Sequence, residues 1–500
     1  MMRFKRLAFL YTLCFVCLAG LICKLHDIVV AQSERGTTNN GIPMLTYEVR
    51  AGSLGQINSA SDAAAIRDVI HNDADIDYFA HRDISADDVG KESWTNKLKS
   101  LDRTALVKES HFGESGRKAE RNRTAEFIKV GDVYIYGAFL DLRVSGQFTV
   151  RLLTLQHRRH QDSLVCRVYD RGEHHILFTQ AYKMCENHGK LYGGWIYSCV
   201  LPNTIQTLPS HIDVLPLSER LNQNRTFTTL PLRTIPAETK SETTRIGVCV
   251  PPLFGDVTLS LIVNFIQMCK ILGADAMFLY MGSVSVELRT FLEHHSKHDA
   301  AISVTQWRMP ENLTESDDKI WYHGQVLAIQ HCLYNNMAAF SFLLFMDLDE
   351  MLVPRKADTW PQMLEGILAS EKLDSVAALS FKSVFFDPTR IPDSSENILY
   401  FQHLHRTKAA SKVRNKLMVQ PLKVFELGIH HMSKALSDEY KSMDVGEDFA
   451  LLHHYRTCVQ IYEPAMKCYP TKTDKTMLRY RERLSHVSHR VITDASKLFA

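Results

Sequence analysis

Residues 341–352 read SFLLFMDLDEML, an apolar run ending in Asp347, with Asp349 and Glu350 close behind. Carboxylates this close repel one another unless a positive charge sits among them. On an extended chain, residues two apart point to the same side, so Asp347 and Asp349 can face one cation together. A hard divalent ion such as Mg²⁺ or Mn²⁺ takes oxygen ligands and shares them with substrate phosphates. The chemistry implied is a metal carrying a diphosphate. The plainer reading is a cap, because aspartates often follow strands and begin helices.

The elements around the stretch decide between these readings. From Arg245, IGVCV reads as a buried strand. Ile262, Phe265, Ile266, Cys269 and Leu272 recur at helical spacing, with Gly273 as a stop. AMFLY, AISVT and FSFLLFM are further strands, separated by the helix VELRTFLEHH and by a helix whose face is Val326, Ile329, Leu333 and Met337. Alternating strand and helix predict an α/β domain over 245–500 with a mostly parallel sheet and crossover helices. Such sheets bind ligands outside the carboxyl ends of their strands, which is where Asp347 and Asp349 fall. A haloacid-dehalogenase-type phosphatase also places Asp-x-Asp after an apolar strand. There the motif follows the first strand, and a Thr stands two residues past the second Asp. Here three strands precede it, and Met351 occupies that place and cannot donate a hydrogen bond.

Upstream the texture differs. VYIYGAFLDLR, FTVRLLTL, SLVCRVYD and HILFTQAY suggest a small antiparallel β-rich domain over 129–205, followed by a Pro- and Thr-containing connector over 206–244. Residues 24–128 are polar and acid-rich, as expected of a stem, with a short helix around Ser61–His71. At the N-terminus, Arg3, Lys5 and Arg6 precede an uncharged apolar segment, Leu7 to Cys23. That pattern predicts a signal-anchor with residues 1–6 in the cytosol and everything after Lys24 in the lumen. The rival is a cleaved signal peptide ending in VVA before Gln32.

Asn122, Asn224 and Asn312 open glycosylation triplets. Eight cysteines outside the apolar segment are compatible with disulfides in an oxidising compartment. Cys249, Cys269 and Cys332 lie in apolar patterns and fit buried thiols equally well. A net charge of +2 with 23% charged residues gives no support for a nucleic-acid partner.

The stretch from Gly247 to Pro354 resembles glycosyltransferase family 92, through VCVPPLFG, ILGADAMFLY, GQVLAIQHCLYNN and LLFMDLDEMLVP. SFKSVFF, LGIHH and HHYR continue the resemblance, and YIYGAFLDLR and IYSCVLP resemble the family's N-terminal β region. The resemblance implies a Golgi type II membrane enzyme with a GT-A fold, a UDP-sugar donor and Mn²⁺. Relatives of this kind are β-galactosyltransferases acting on fucose or other glycan acceptors. Asp347 and Asp349 match the metal motif and Glu350 the acid that follows it. His430 and His454-Tyr455-Arg456 match later motifs. The chain departs from the pattern at Gln267, Met281 and His331.

These residues set the expectations. Asp347 and Asp349 hold the metal. His454 or His430 completes its shell, with His454 favoured because Arg456, two residues on, would reach the diphosphate on an extended chain. A carboxylate deprotonates the acceptor hydroxyl, with Asp387 and Glu426 as the candidates. Lys416 and Arg414 are expected on a solvated surface, and Trp307 and Trp321 in the core. The alternative class is a lumenal glycan- or nucleotide-sugar-binding protein that kept the fold without turnover.

Overall fold

A β-rich unit comes first in the computed structural model, which describes residues 126–499 apart from 160–162, 223, 237–242, 315–318, 459–462 and 464–465. The apolar segment 7–23, the stem to residue 125 and Asn122 lie outside the described residues. Among the described residues no helix is long and apolar enough to cross a membrane.

The β-rich unit holds two sheets, one of six strands and one of four. Val133, Ile135, Leu140, Val150 and Leu152 of the first sheet meet Cys166, Val168, Ile212 and Val214 of the second in a shared core. A Cys166–Cys199 disulfide joins the two sheets. Within the expected connector 206–244, described residues from His211 to Ile235 belong to this unit. His211–Pro216, Thr228–Pro231 and Arg233–Ile235 are strands in it. Each is too short for its alternation to stand out from the surrounding prolines and threonines.

The second unit is built on a nine-stranded mixed sheet. Its strands are β1 Ile246–Leu253, β2 Ala276–Met281, β3 Ile302–Gln306, β4 Phe342–Phe345, β5 Glu350–Pro354, β6 Val376–Phe385 and β7 Ser411–Val419; after β8, Val424–Leu427, which lies in a separate ribbon, come β9 Lys441–Asp444 and β10 Ala450–His454. The strand order is β3-β2-β1-β4-β7-β6-β10-β5, with β9 beside β6. β3, β2, β1 and β4 run parallel, whereas β7 returns antiparallel between β4 and β6. The parallel half matches the strand–helix alternation of the sequence, and the other half makes the sheet mixed.

Helices α1 Leu259–Leu272, α2 Val286–His298, α3 Gln325–Asn336, α4 Trp360–Ser370 and α5 Arg481–Ser496 frame the sheet. Thr258 and Ser285 cap α1 and α2 by accepting from Leu261 and Leu288 N–H, each at 3.2 Å. Gly273 ends α1 at φ 99°, a left-handed conformation that suits glycine. On one face α1, α2 and α4 bury Phe265, Phe291 and Trp360 against β1, β2 and β4. On the other, α3 packs with β-rich residues such as Phe139, Leu153 and Ile196 in one continuous core. Burying each such side chain contributes about 1.5–3 kcal/mol. A Cys249–Cys332 disulfide ties β1 to α3, and Cys269 is a buried thiol.

Candidate active site

The sheet brings three distant segments to one place. β4 is buried throughout, and its carboxyl end opens into a turn at Leu348 and Asp349 before β5 begins at Glu350. Glu350 N–H donates to the Asp347 carbonyl at 3.1 Å, and Asp347 N–H donates to Glu350 Oε2 at 2.9 Å. The two aspartates are therefore set by a turn rather than by strand alternation. The turn leads into strand β5, so they cap no helix. Asp347 and Asp349 keep 33% and 39% of their side chains exposed, while Glu350 beneath them is fully buried at 0%. Glu350 thus reaches a ligand only through its neighbours.

β5 runs antiparallel to β10, which places His454 opposite Glu350. β10 also runs beside β6, and the Phe385 ring stacks on His454 at 5.4 Å. His454 Nε2 lies 3.2 Å from Asp349 Oδ2, and its Nδ1 lies 3.4 Å from Glu350 Oε1. Lys416, expected on the surface, is instead 2% exposed on β7. Its ammonium sits 2.8 Å from Asp347 Oδ2 and 3.3 Å from Glu350 Oε2. The positive charge among the acids is thus in part the protein's own.

Burial works against the Lys416 ammonium, but Asp347 and Glu350 outweigh it and raise its pKa. Burial also works against Asp349 ionising. The His454 hydrogen bond, with the charges of His454, Arg456 and Lys416, outweighs it and holds the carboxyl below its ordinary range. Glu350 is pushed the other way, first by its complete burial.

Whether this cluster suits a metal is decided by the two ring nitrogens of His454. A neutral imidazole has one N–H, yet each nitrogen faces a carboxylate. A proton on both nitrogens would serve both carboxylates, and so would one N–H toward Glu350 with a cation between Nε2 and Asp349. Glu350 Oε1 and His454 Nδ1 are buried without an aligned partner, in keeping with a pair waiting to be drawn together. Among the described residues no three His, Cys, Asp or Glu side chains form a metal cage. Asp349 and His454 are the pair that would hold a cation, with its other positions left to ligand oxygens. Asp347, bound to Lys416, stands beside that pair.

The remaining expected residues divide. His430 is brought close, with Nδ1 3.0 Å from the carbonyl oxygen of Asn415, the residue before Lys416. A carbonyl only accepts, so Nδ1 carries the proton and Nε2 keeps its lone pair. Burial, then the Lys416 charge, push His430 down to about 2, so the ring is neutral. Arg456 is half-buried in a bend, its N–H donating to the His454 carbonyl at 3.0 Å, and so does not continue the strand.

Asp387 follows β6 and lines a cavity of about 640 Å³ with Phe385, Arg390, His405 and Tyr469. The Cys458–Cys468 disulfide forms part of its wall. Glu426 lies elsewhere, fully buried on β8. Its Oε2 accepts from Tyr182 O–H at 2.6 Å and its Oε1 from Cys185 N–H at 2.8 Å. Both oxygens are committed to the β-rich unit, so Glu426 is not placed as a base. Met281 is buried in the core, as is Trp307, and Gln267 is half-buried on α1. Asn224 and Asn312 are exposed.

Paired acids at the end of a parallel strand, with a histidine and a buried lysine among them, form the candidate active site of this chain. Residues 244–499, about half of the chain, match the model of glycosyltransferase family 92, and the chain belongs to that family. It is 25% identical over 345 residues to a beta-1,4-galactosyltransferase of Caenorhabditis elegans, covering 66% of this chain and 76% of that one. It is also 25% identical over 226 residues to a glycosyltransferase family 92 protein of the same organism, covering 43% of each. Family membership removes the phosphatase reading.

Proposed function

We propose that the protein transfers a hexose, galactose first among them, from a UDP-sugar to a hydroxyl of a glycan acceptor, with inversion, in a Golgi lumenal domain of GT-A type. The observation that carries this reading is the Asp349–His454 pair, 3.2 Å apart beside the Lys416 ammonium at a strand's carboxyl end. The galactose assignment rests on the name of the beta-1,4-galactosyltransferase relative. Asp349 and His454 would hold a divalent cation, Mn²⁺ in this reading. Such a cation, when bound, supplies Lewis-acid stabilisation of a departing diphosphate. Arg456 would bring further positive charge to the same oxygens, while Lys416 offsets the acids beneath.

Across from this cluster, Phe385 joins His454 to the cavity that Asp387 lines. Asp387 Oδ1 accepts from Thr389 N–H at 3.0 Å, Thr389 O–H at 2.7 Å and Thr457 O–H at 3.2 Å. The carboxylate is thereby fixed, and its Oδ2 is available to an acceptor hydroxyl. The hydroxyl oxygen attacks the anomeric carbon from the face opposite the diphosphate. The bond from that carbon to the diphosphate breaks, UDP leaves, and the hydroxyl proton passes to Asp387.

The test is a panel of UDP-sugars with Mn²⁺ or with chelator, with and without glycan acceptors. Asp349→Asn keeps shape and removes charge. It should be secreted normally while its Mn²⁺-dependent donor affinity falls by at least about tenfold, the lower end for disturbing a metal site's surroundings. A secreted variant with unchanged donor affinity would return Asp349 to a structural role.

A further inference from the structure

The family match begins at residue 244, yet the β-rich unit before it reaches the site through one segment of chain. β8 and the residues after it, 424–431, end in His430 and His431. Tyr182 and Cys185 hold the buried Glu426 carboxylate by both oxygens, at 2.6 and 2.8 Å. Ile429 N–H donates to Glu186 Oε2, and His431 Nδ1 lies 3.6 Å from Glu186 Oε1. Gly428 leaves the room this needs, because a Cβ there would come within 2.6 Å of Glu186 Oε2. His430, the next residue after Ile429, then donates Nδ1–H to the carbonyl beside Lys416.

A buried carboxylate is stable only with its partners in place. Glu426 therefore demands one docked arrangement of the two units, which an apolar contact would not specify. Glu186 works one step closer to the site, on the backbone adjacent to His430.

We propose that the Tyr182–Glu186 segment of the β-rich unit positions the His430 imidazole beside the acidic cluster, making that unit a working part of the transfer site. Tyr182 and Glu186 are positioning residues acting through the 426–430 backbone. The proposal rests on the sugar-transfer reading for its kinetic measurement only.

The experiment uses the full chain. Glu186→Ala removes the acceptor for Ile429 N–H, and Glu186→Gln keeps an oxygen there. Tyr182→Phe keeps the ring packed on Phe425 and removes only the O–H that serves Glu426. Glu186→Ala should lower kcat per folded molecule by about 10–100-fold, with donor KM within about twofold, as expected when an orienting partner is lost. Glu186→Gln should restore most of that loss, and Tyr182→Phe should fall in the same direction by less. Hydrogen exchange at amides 427–431 should quicken in Glu186→Ala while the β1–β4 core keeps its protection. Unchanged kcat in both Glu186→Ala and Tyr182→Phe, with only a lower melting temperature, overturns the proposal and leaves a structural seam. A wild-type chain that transfers no sugar would sink the functional reading instead. The exchange comparison then decides alone, with unchanged exchange overturning the positioning role and faster exchange supporting it.

Discussion

Lys416→Met should destabilise the protein by about 3–5 kcal/mol, the usual cost of removing one partner from a buried ion pair. The ammonium is 2% exposed and serves Asp347 and Glu350 together. Without it, Glu350 stays buried with no cation on Oε2, and Asp347 faces it across a short gap. In thermal unfolding this amounts to a fall of about 6–20 °C for a domain of this size.

The informative part is the response to metal. On the proposed reading, Mn²⁺ in the wild type would have only the Asp349–His454 pair to occupy, because Lys416 already pairs with Asp347. In Lys416→Met, Asp347 is released to join them, and any ligand that binds the folded state stabilises it by mass action. Mn²⁺ should therefore raise the melting temperature of Lys416→Met by more than that of the wild type. A variant that melts like the wild type, with no larger Mn²⁺ shift, would show that Lys416 is not the counter-charge of this cluster. The measurement needs no substrate, so it stands apart from the transfer assay.

Lys416 also marks where the sequence stops being informative. The parallel half of the sheet was legible because its signals are local. Gly273 stops α1, and β1 and β4 are apolar along their whole length as strands buried on both faces must be. The other half is non-local. Lys416 meets Asp347 across 69 residues and His454 meets Asp349 across 105. No periodicity announces such pairings, which depend on β7 returning antiparallel between β4 and β6. The second lysine of KVRNKLMV reads as solvated because burial of a cation is rare without a partner, and the partners lie far away in the chain.

The same limit explains the aspartates and Glu426. Asp-x-Asp was legible as an acidic site but not as a turn, since the turn is held by the Glu350 side chain reaching back to Asp347 N–H. Glu426 was a candidate base on position alone. Only the docked β-rich unit reveals that Tyr182 and Cys185 already hold both its oxygens. Asp387 carried no stronger signature and proved to line the cavity.

Asp387→Asn should then lower kcat by about 10²–10⁴-fold, the range for loss of a general base. Folding should survive, since the amide oxygen can still accept from Thr389 and Thr457 where Oδ1 does now. Donor affinity should survive too, because Asp387 belongs to the cavity rather than to the Asp349–His454 pair. Burial works against its ionised form, but the hydrogen bonds from Thr389 and Thr457 outweigh it and lower the pKa. A base with a depressed pKa is ionised above that value and loses function only as pH falls through it. The acid limb set by Asp387 should therefore lie below about 3.9, the ordinary aspartate value, leaving kcat flat from that cause through the neutral range. An Asn variant turning over within about threefold of wild type would be too mild for a lost base and would remove Asp387 from the mechanism.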